Sequence, residues 1–303
     1  MGLIIKVGSR GSQLAILQAE SVVRKLKKVT DANFNLVKIR TSGDSSLAQK
    51  KLGSGIFEKE VDEALIRGDI DLAVHSMKDV PTAIPEGIIL AAIPERLPAN
   101  DVFISREFCS IGMLPAGATI GTSSLRRAAQ IRSIRRDICI VELRGNIETR
   151  LKRLSEGAFQ GIVIAQAALM RIGGLCGKEE ILSTDQFPTS PGQGALAVMA
   201  RRDDKEMNEV ASKINCEDAM EEITAERAFL KKLGCGCSSP VGCTASAKGK
   251  RLKIKCRLYS IDGCHSKLFQ FDFDRGDPCR CGEKAASIVL EDENVRTFWG
   301  LGS

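Results

Sequence analysis

Aromatic residues are scarce: Phe, Tyr and Trp make up 4% of the 303 residues, with one Trp and one Tyr. None lies between Phe108 and Phe159, so the arginines there lack the stacking platform of a single-strand nucleic-acid binder. Long apolar runs are missing too, and no stretch approaches the roughly 18 residues of a membrane span. A charge arrives at Lys6, before a signal-peptide core could form, and Lys6 also breaks the myristoylation pattern opened by Met1-Gly2. The expected chain therefore engages neither nucleic acid nor membrane, and its expected location is the cytoplasm. Low-complexity tracts and fibrous repeats are absent. With 43% hydrophobic and 27% charged residues, this is ordinary globular composition, long enough for two or three domains.

C-x-x-C knuckles are a further absence. The eleven cysteines are odd in number and irregularly spaced, which points to free thiols in a reducing compartment rather than a disulfide framework. Eight of them lie between Cys216 and Cys281. A zinc or iron–sulfur site on Cys235, Cys237, Cys243, Cys279 and Cys281 would have to use C-x-C spacings, a weak pattern for either. No metal is expected, and surplus cysteines are read as small core residues.

Carboxylates are missing where cations gather. The net charge is +6, and residues 120–171 alone carry nine arginines and Lys152 against four acidic residues. No acidic residue occurs between Glu107 and Asp137, so five arginines in and around the helix expected after Thr122 have no counter-ion inside it. Arg132, Arg135 and Arg136 share helical spacing and read as solvated. Lys152 has Glu148 and Glu156 at i−4 and i+4, a self-satisfied pattern. Arg126, Arg127, Arg144 and Arg150 stand near helix starts that follow strands. There backbone N–H groups and the helix dipole favour an anion, and a guanidinium adds a planar fork for carboxylate or phosphate. An acidic ligand is expected.

Short Val- and Ile-rich runs alternate with helical patterns over the first two-thirds of the chain, the signature of an α/β fold. Strands are expected at 3–7, 36–40 and 70–74, with a turn at 8–12, a helix over 13–28 that buries Leu14, Leu17 and Leu26, and another carrying Phe57, Val61, Ala64 and Leu65 inward. A second set follows: strands at 119–121, 138–143 and 161–165, with helices from Ser123 and Asn146. Ligands of open α/β sheets sit beyond the carboxyl ends of strands, which is where Arg10, Asp79, Thr122 and Arg144 fall. A proline-containing linker at 92–98 and a break at 188–194 separate the sets. The strand at 195–199 returns the chain to the first. From Lys250 the pattern becomes strand, Asp262-Gly263 turn, strand and helix, a small α+β unit. The expected domains are 1–96 with 195–214, 99–190, and 217–303. The polar stretch 44–55 reads as a lid.

Six motifs in order are similar to those of the porphobilinogen deaminases, or hydroxymethylbilane synthases. They are Gly8-Ser9-Arg10-Gly11-Ser12-Gln13-Leu14-Ala15, His75-Ser76-Met77-Lys78-Asp79-Val80-Pro81, Gly121-Thr122-Ser123-Ser124-Leu125-Arg126-Arg127, Leu143-Arg144-Gly145-Asn146, Pro191-Gly192-Gln193-Gly194-Ala195 and Gly236-Cys237-Ser238-Ser239-Pro240-Val241-Gly242. The resemblance spans essentially the whole chain. It implies two α/β domains of the type II periplasmic-binding-protein kind plus a small α+β C-terminal domain. It also implies a transferase that joins four porphobilinogen units head to tail into the linear tetrapyrrole hydroxymethylbilane, releasing ammonia. The chain grows on a dipyrromethane cofactor held by a thioether, here to Cys237, with Cys235 where the family usually has glycine. Porphobilinogen is the only partner expected, and a monomer is expected.

By the same resemblance Asp79 is the catalytic carboxylate, placed to stabilise the azafulvenium cation formed when ammonia leaves and to move protons. Its bland reading is a turn Asp before Pro81. Lys78 is expected to meet a ligand carboxylate or to favour the charged Asp79, and His75 to orient the loop. Arg10, Ser12, Thr122, Ser124, Arg126, Arg127, Arg144 and Arg150 match cofactor-binding positions. Arg10, Arg144, Arg150, Arg171 and Gln193 match substrate-binding ones, although Arg171 also suits an ordinary helix C-terminus. Ser54 departs from the family's lid lysine, leaving Lys50, Lys51 or Lys59 to serve. A non-enzymatic two-lobed carboxylate binder would show the same arginines, but binding alone requires neither Asp79 nor Cys237.

Overall fold

A computed structural model describes residues 4–40, 58–174, 178–235 and 239–299. The expected lid at 44–55, with Lys50, Lys51 and Ser54, and the expected tether Cys237 lie outside the described residues, as does Phe57. The chain divides into two compact units, residues 1–97 with 194–221 and residues 98–193 with 222–303.

The first unit is built on one five-stranded sheet. Strand β1 (Ile4–Arg10) pairs in parallel with β2 (Asn33–Ile39) and with β3 (Leu72–Ser76). Strand β10 (Leu196–Arg201) lies antiparallel between β3 and β4 (Ile88–Ala92), giving the order β2-β1-β3-β10-β4. β3 opens with the apolar run Leu72-Ala73-Val74, and β10 is apolar from Leu196 to Ala200, because helices cover a sheet of this kind on its faces. Helix α1 (Gln13–Leu26) buries Ala19, Val22, Val23 and Leu26, α2 (Lys59–Arg67) buries Val61, Ala64 and Leu65, and α6 (Lys205–Ser212), which follows β10, buries Met207, Val210 and Ala211. Two expectations change here. β1 runs on through Gly8, Ser9 and Arg10, leaving Gly11 and Ser12 as the turn, because all seven of its residues pair with β2. Leu14 and Leu17 are only half-buried, since the inward face is one step round the helix, at Gln18 and Ala19.

The second unit holds two sheets. One repeats the plan of the first: β6 (Thr119–Gly121) is parallel to β7 (Cys139–Val141) and β8 (Gly161–Ala165), while β5 (Asp101–Ser105) is antiparallel to β8 and to β9 (Lys178–Leu182), in the order β7-β6-β8-β5-β9. Ser124 caps α3 (Leu125–Ile134) and Asn146 caps α4 (Ile147–Ser155), each side chain accepting from the backbone N–H three residues on. α5 (Gln166–Arg171) follows β8 directly. Gly145, between Arg144 and that cap, has φ +112°, a backbone state that L side chains avoid. The other sheet is the antiparallel ribbon β11 (Val241–Lys248), β12 (Arg251–Tyr259) and β13 (Ser266–Asp274), packed on α7 (Glu217–Lys232) and α8 (Pro278–Glu291). The fold class is thus α/β in two sheets of matching plan plus a small C-terminal α+β sheet.

Within the second unit the two sheets are stitched together. Cys243 N–H donates to the Thr189 carbonyl at 2.8 Å, and a Cβ on Gly242 would fall 2.0 Å from the Pro188 oxygen. Glu226 of α7, fully buried, accepts from Gly192 N–H and from Ala245 N–H, both at 2.7 Å. Cys243 and Cys256 face each other across β11 and β12 inside the core, as small apolar residues do. Arg135 corrects the solvated reading. α3 stops at Ile134, and the guanidinium of Arg135 grips Asp137 and the carbonyls of Ile111, Gly112 and Leu114.

Candidate active site

In the first unit the expected residues converge at the carboxyl ends of β1 and β3. Arg10 ends β1, and Ser12 caps α1 by accepting from Ala15 N–H at 3.4 Å. β3 ends at Ser76, and a single 3-10 turn, Met77–Asp79, carries the chain round. Two bonds fix this turn: Gln18 of α1 donates to Ser76 Oγ at 2.7 Å, and Met77 N–H donates to the Ala195 carbonyl at 3.1 Å. Between them is a cavity of about 80 Å³ whose lining includes Arg10, Ser12, Gln18, Glu58, His75 and Asp79. Lys78 is half-buried beside it and Asp79 is exposed at its mouth.

His75 is buried and pairs through Nε2 with Asp62 Oδ1 of α2 at 3.0 Å. It ties α2 to β3. Glu58, just before α2, was missed. It is 3% exposed, and its Oε2 is buried without a hydrogen-bond partner. Burial, with the charges of Asp79 and Asp62, pushes its carboxyl up to about 8 against the opposing pull of Arg10. Its carboxyl is therefore mostly protonated at neutral pH.

In the second unit, Thr122 is buried and its Oγ1 accepts from Ser124 N–H at 3.2 Å, so the Thr-Ser-Ser run shapes the start of α3. Arg126 and Arg127 have no counter-ion within α3, as expected, and find one elsewhere in the fold. Asp101 of β5, 1% exposed, meets Arg126 Nη1 at 2.9 Å and Arg127 Nη2 at 2.6 Å. Arg127 also donates to the Val163 carbonyl, and Arg126 to Gln130 and Ser190. Gln193 joins the group, donating to Asp101 Oδ1 at 2.9 Å and to the Ala99 carbonyl at 2.6 Å. The two guanidinium groups overcome the desolvation of Asp101 and hold it well below the usual carboxylate range. Arg144 is exposed and donates to Glu142 at 2.6 Å, and Arg150 donates to the Gly145 carbonyl at 2.9 Å. Arg171, at the end of α5, is half-buried. Desolvation lowers it to about 10, which still leaves it charged at neutral pH.

Two sheets of one plan, each presenting functional side chains beyond its strand ends, define a two-unit α/β protein built around small-molecule sites. The family model "Porphobilinogen deaminase, dipyromethane cofactor binding domain" matches residues 5–209, and "Porphobilinogen deaminase, C-terminal domain" matches residues 220–291. The chain belongs to the porphobilinogen deaminase family. It is 43% identical over 306 residues to the porphobilinogen deaminase of Alkaliphilus metalliredigens, covering 96% of each chain. It is 40% identical over 292 residues to the probable porphobilinogen deaminase of Nitrosopumilus maritimus, covering 94% of this chain and 92% of that one. Among solved structures it is similar to the methionine-binding protein MetQ, at 14% identity and a TM-score of 0.45, covering 72% of this chain and 92% of that one. The chain is thus an enzyme of tetrapyrrole biosynthesis with a dipyrromethane cofactor-binding domain. Among the described residues no helix is long and apolar enough to cross a membrane.

Proposed function

We propose that this enzyme joins four porphobilinogen molecules head to tail into hydroxymethylbilane, with loss of ammonia, on a dipyrromethane bound through Cys237. The observation that carries this is the carboxylate Asp79, held by a braced turn at the mouth of the Arg10 cavity, in a chain that matches the family along most of its length. The residues fit an acidic pyrrole ligand. Arg10, Arg144 and Arg150 stand at strand ends and helix starts with part of each side chain accessible, and Glu58, one of whose carboxyl oxygens is buried without a partner, lines the same cavity as Arg10.

When bound, the dipyrromethane supplies the ring carbon to which new units are joined. The protein's part is positioning and charge. Asp79 faces the positive charge that develops as the C–N bond of the aminomethylpyrrole breaks, its electron pair leaving with nitrogen. Lys78, Arg10, Ser12, Thr122, Ser124, Arg144 and Arg150 take cofactor carboxylates, and Arg10, Arg144, Arg150 and Arg171 those of the incoming unit, while Gln193, whose amide hydrogens go to Asp101 and the Ala99 carbonyl, serves the frame rather than the ligand. Arg126 and Arg127, already engaged by Asp101, contribute by fixing the start of α3. Porphobilinogen is the only partner in this reading, with the chain working as a cytoplasmic monomer free of nucleic acid and membrane.

Intact-mass measurement of the purified protein tests the proposal. The wild type is expected to exceed its sequence mass by one dipyrromethane, and Cys237→Ser to lose the increment. A turnover-competent wild type without it, or a Cys237→Ser protein still modified on Cys235, would reject the assignment.

A further inference from the structure

Glu58 is the one residue lining the Arg10 cavity whose placement nothing in the fold explains. Glu58 serves neither the buried face nor the cap of α2: Val61, Ala64 and Leu65 supply the buried face, and the side chain of Glu58 makes no cap bond at its N-cap position. One oxygen of this buried carboxyl, Oε2, is left without a partner, which costs on the order of 1–3 kcal/mol, so the side chain is not there for stability. Charged and titratable groups face it from each element around the cavity. These are Arg10 from β1, Asp79 from the turn after β3, and Asp62 of α2, itself tied to His75 of β3.

The reaction demands proton traffic at this place. Each condensation expels one ammonia and removes one hydrogen from the acceptor ring carbon. A group must therefore give a proton to departing nitrogen and accept one from carbon. A single carboxylate that also faces the cation would have to be ionised and protonated within the same step.

We propose that Glu58 is a positioning residue that acts through Asp79, storing the proton that each condensation hands out and takes back. This rests on the reading of Asp79 given above. In the resting site the pair holds one proton, on Glu58. As the C–N bond breaks, the proton passes from Glu58 by way of Asp79 to the departing nitrogen, which leaves as ammonia. Two carboxylates then face the single positive charge on the substrate. When the new C–C bond has formed, the ring carbon releases its proton to Asp79, and Glu58 recovers it. Protons and charge balance over the cycle with no added reactant.

Infrared difference spectra and steady-state kinetics of the holoenzyme test this with Glu58→Gln, Glu58→Asp and Asp79→Asn. Wild type minus Glu58→Gln is expected to show a protonated carboxyl band at pH 7 that disappears as pH rises through about 8. Glu58→Gln is expected to lower kcat at least about 10-fold with little change in KM, and to lose the alkaline limb of the pH profile. Glu58→Asp, which still carries a proton, is expected to restore part of kcat. Absence of the band, or a Glu58→Gln enzyme with wild-type kcat and alkaline limb, would overturn the proposal while an inactive Asp79→Asn left the reading of the site intact. Wild-type turnover in Asp79→Asn would overturn that reading itself.

Discussion

Glu58 in the first unit and Asp101 in the second are both nearly inaccessible carboxyls, and they titrate in opposite directions. Asp101 has two guanidinium groups and the Gln193 amide on its oxygens, so it stays charged far into acid. Glu58 is desolvated beside two carboxylates, with Arg10 pulling the other way, so it keeps its proton up to about 8. Burial is common to both. What separates them is the sign of the nearest charge. The second unit uses a buried carboxylate to hold a frame, and the first keeps a buried carboxyl that is still protonated at neutral pH.

The sharpest way to break the comparison is to remove the frame's anion. Asp101→Asn leaves two buried guanidinium groups without their charge, and a loss of about 3–5 kcal/mol is expected in chemical denaturation. Because the folded Asp101 is shifted down, its stabilisation is complete above its ordinary value of 3.8 and falls away as pH drops below it. Wild type and Asp101→Asn should therefore converge in acid. Glu58 carries the opposite sign. Its folded carboxyl is shifted up from 4.5 to about 8, so the wild type loses stability across that window as pH rises. Glu58→Gln, neutral throughout, should be more stable than wild type above pH 8 by about 1–3 kcal/mol, with the gap closing towards pH 4.5 in thermal unfolding. A surface pair sets the lower limit. Lys152 and Glu156, 3.8 Å apart and exposed, should be worth no more than about 0.5 kcal/mol, and Lys152→Ala should shift the denaturation midpoint almost imperceptibly.

Much of this was legible in the sequence because the signals were local. Apolar runs located β3, β6 and β8, and Ser124 and Asn146 announced the helices they cap. The strand-end rule placed Arg10 and Asp79 where the cavity is found. Asp101 escaped because its meaning is not local. It opens the buried strand β5, and its partners lie about 25 residues on, in α3, so a count of charges within one helix could not reveal the match. Arg135 was misread for a related reason: three-residue spacing implies a shared face only while the helix continues, and α3 ends one residue earlier. Glu58 belongs to no motif singled out in the sequence, and only the fold brings Asp79 and Arg10 round to it.

Glu226 has a mechanical consequence. One side chain grips the Pro-Gly-Gln-Gly loop with one oxygen and strand β11 with the other, so neither can be displaced without loading its neighbour. A growing oligomer that strained the loop carrying Gln193 would transmit that load to the sheet whose first strand begins four residues after Cys237.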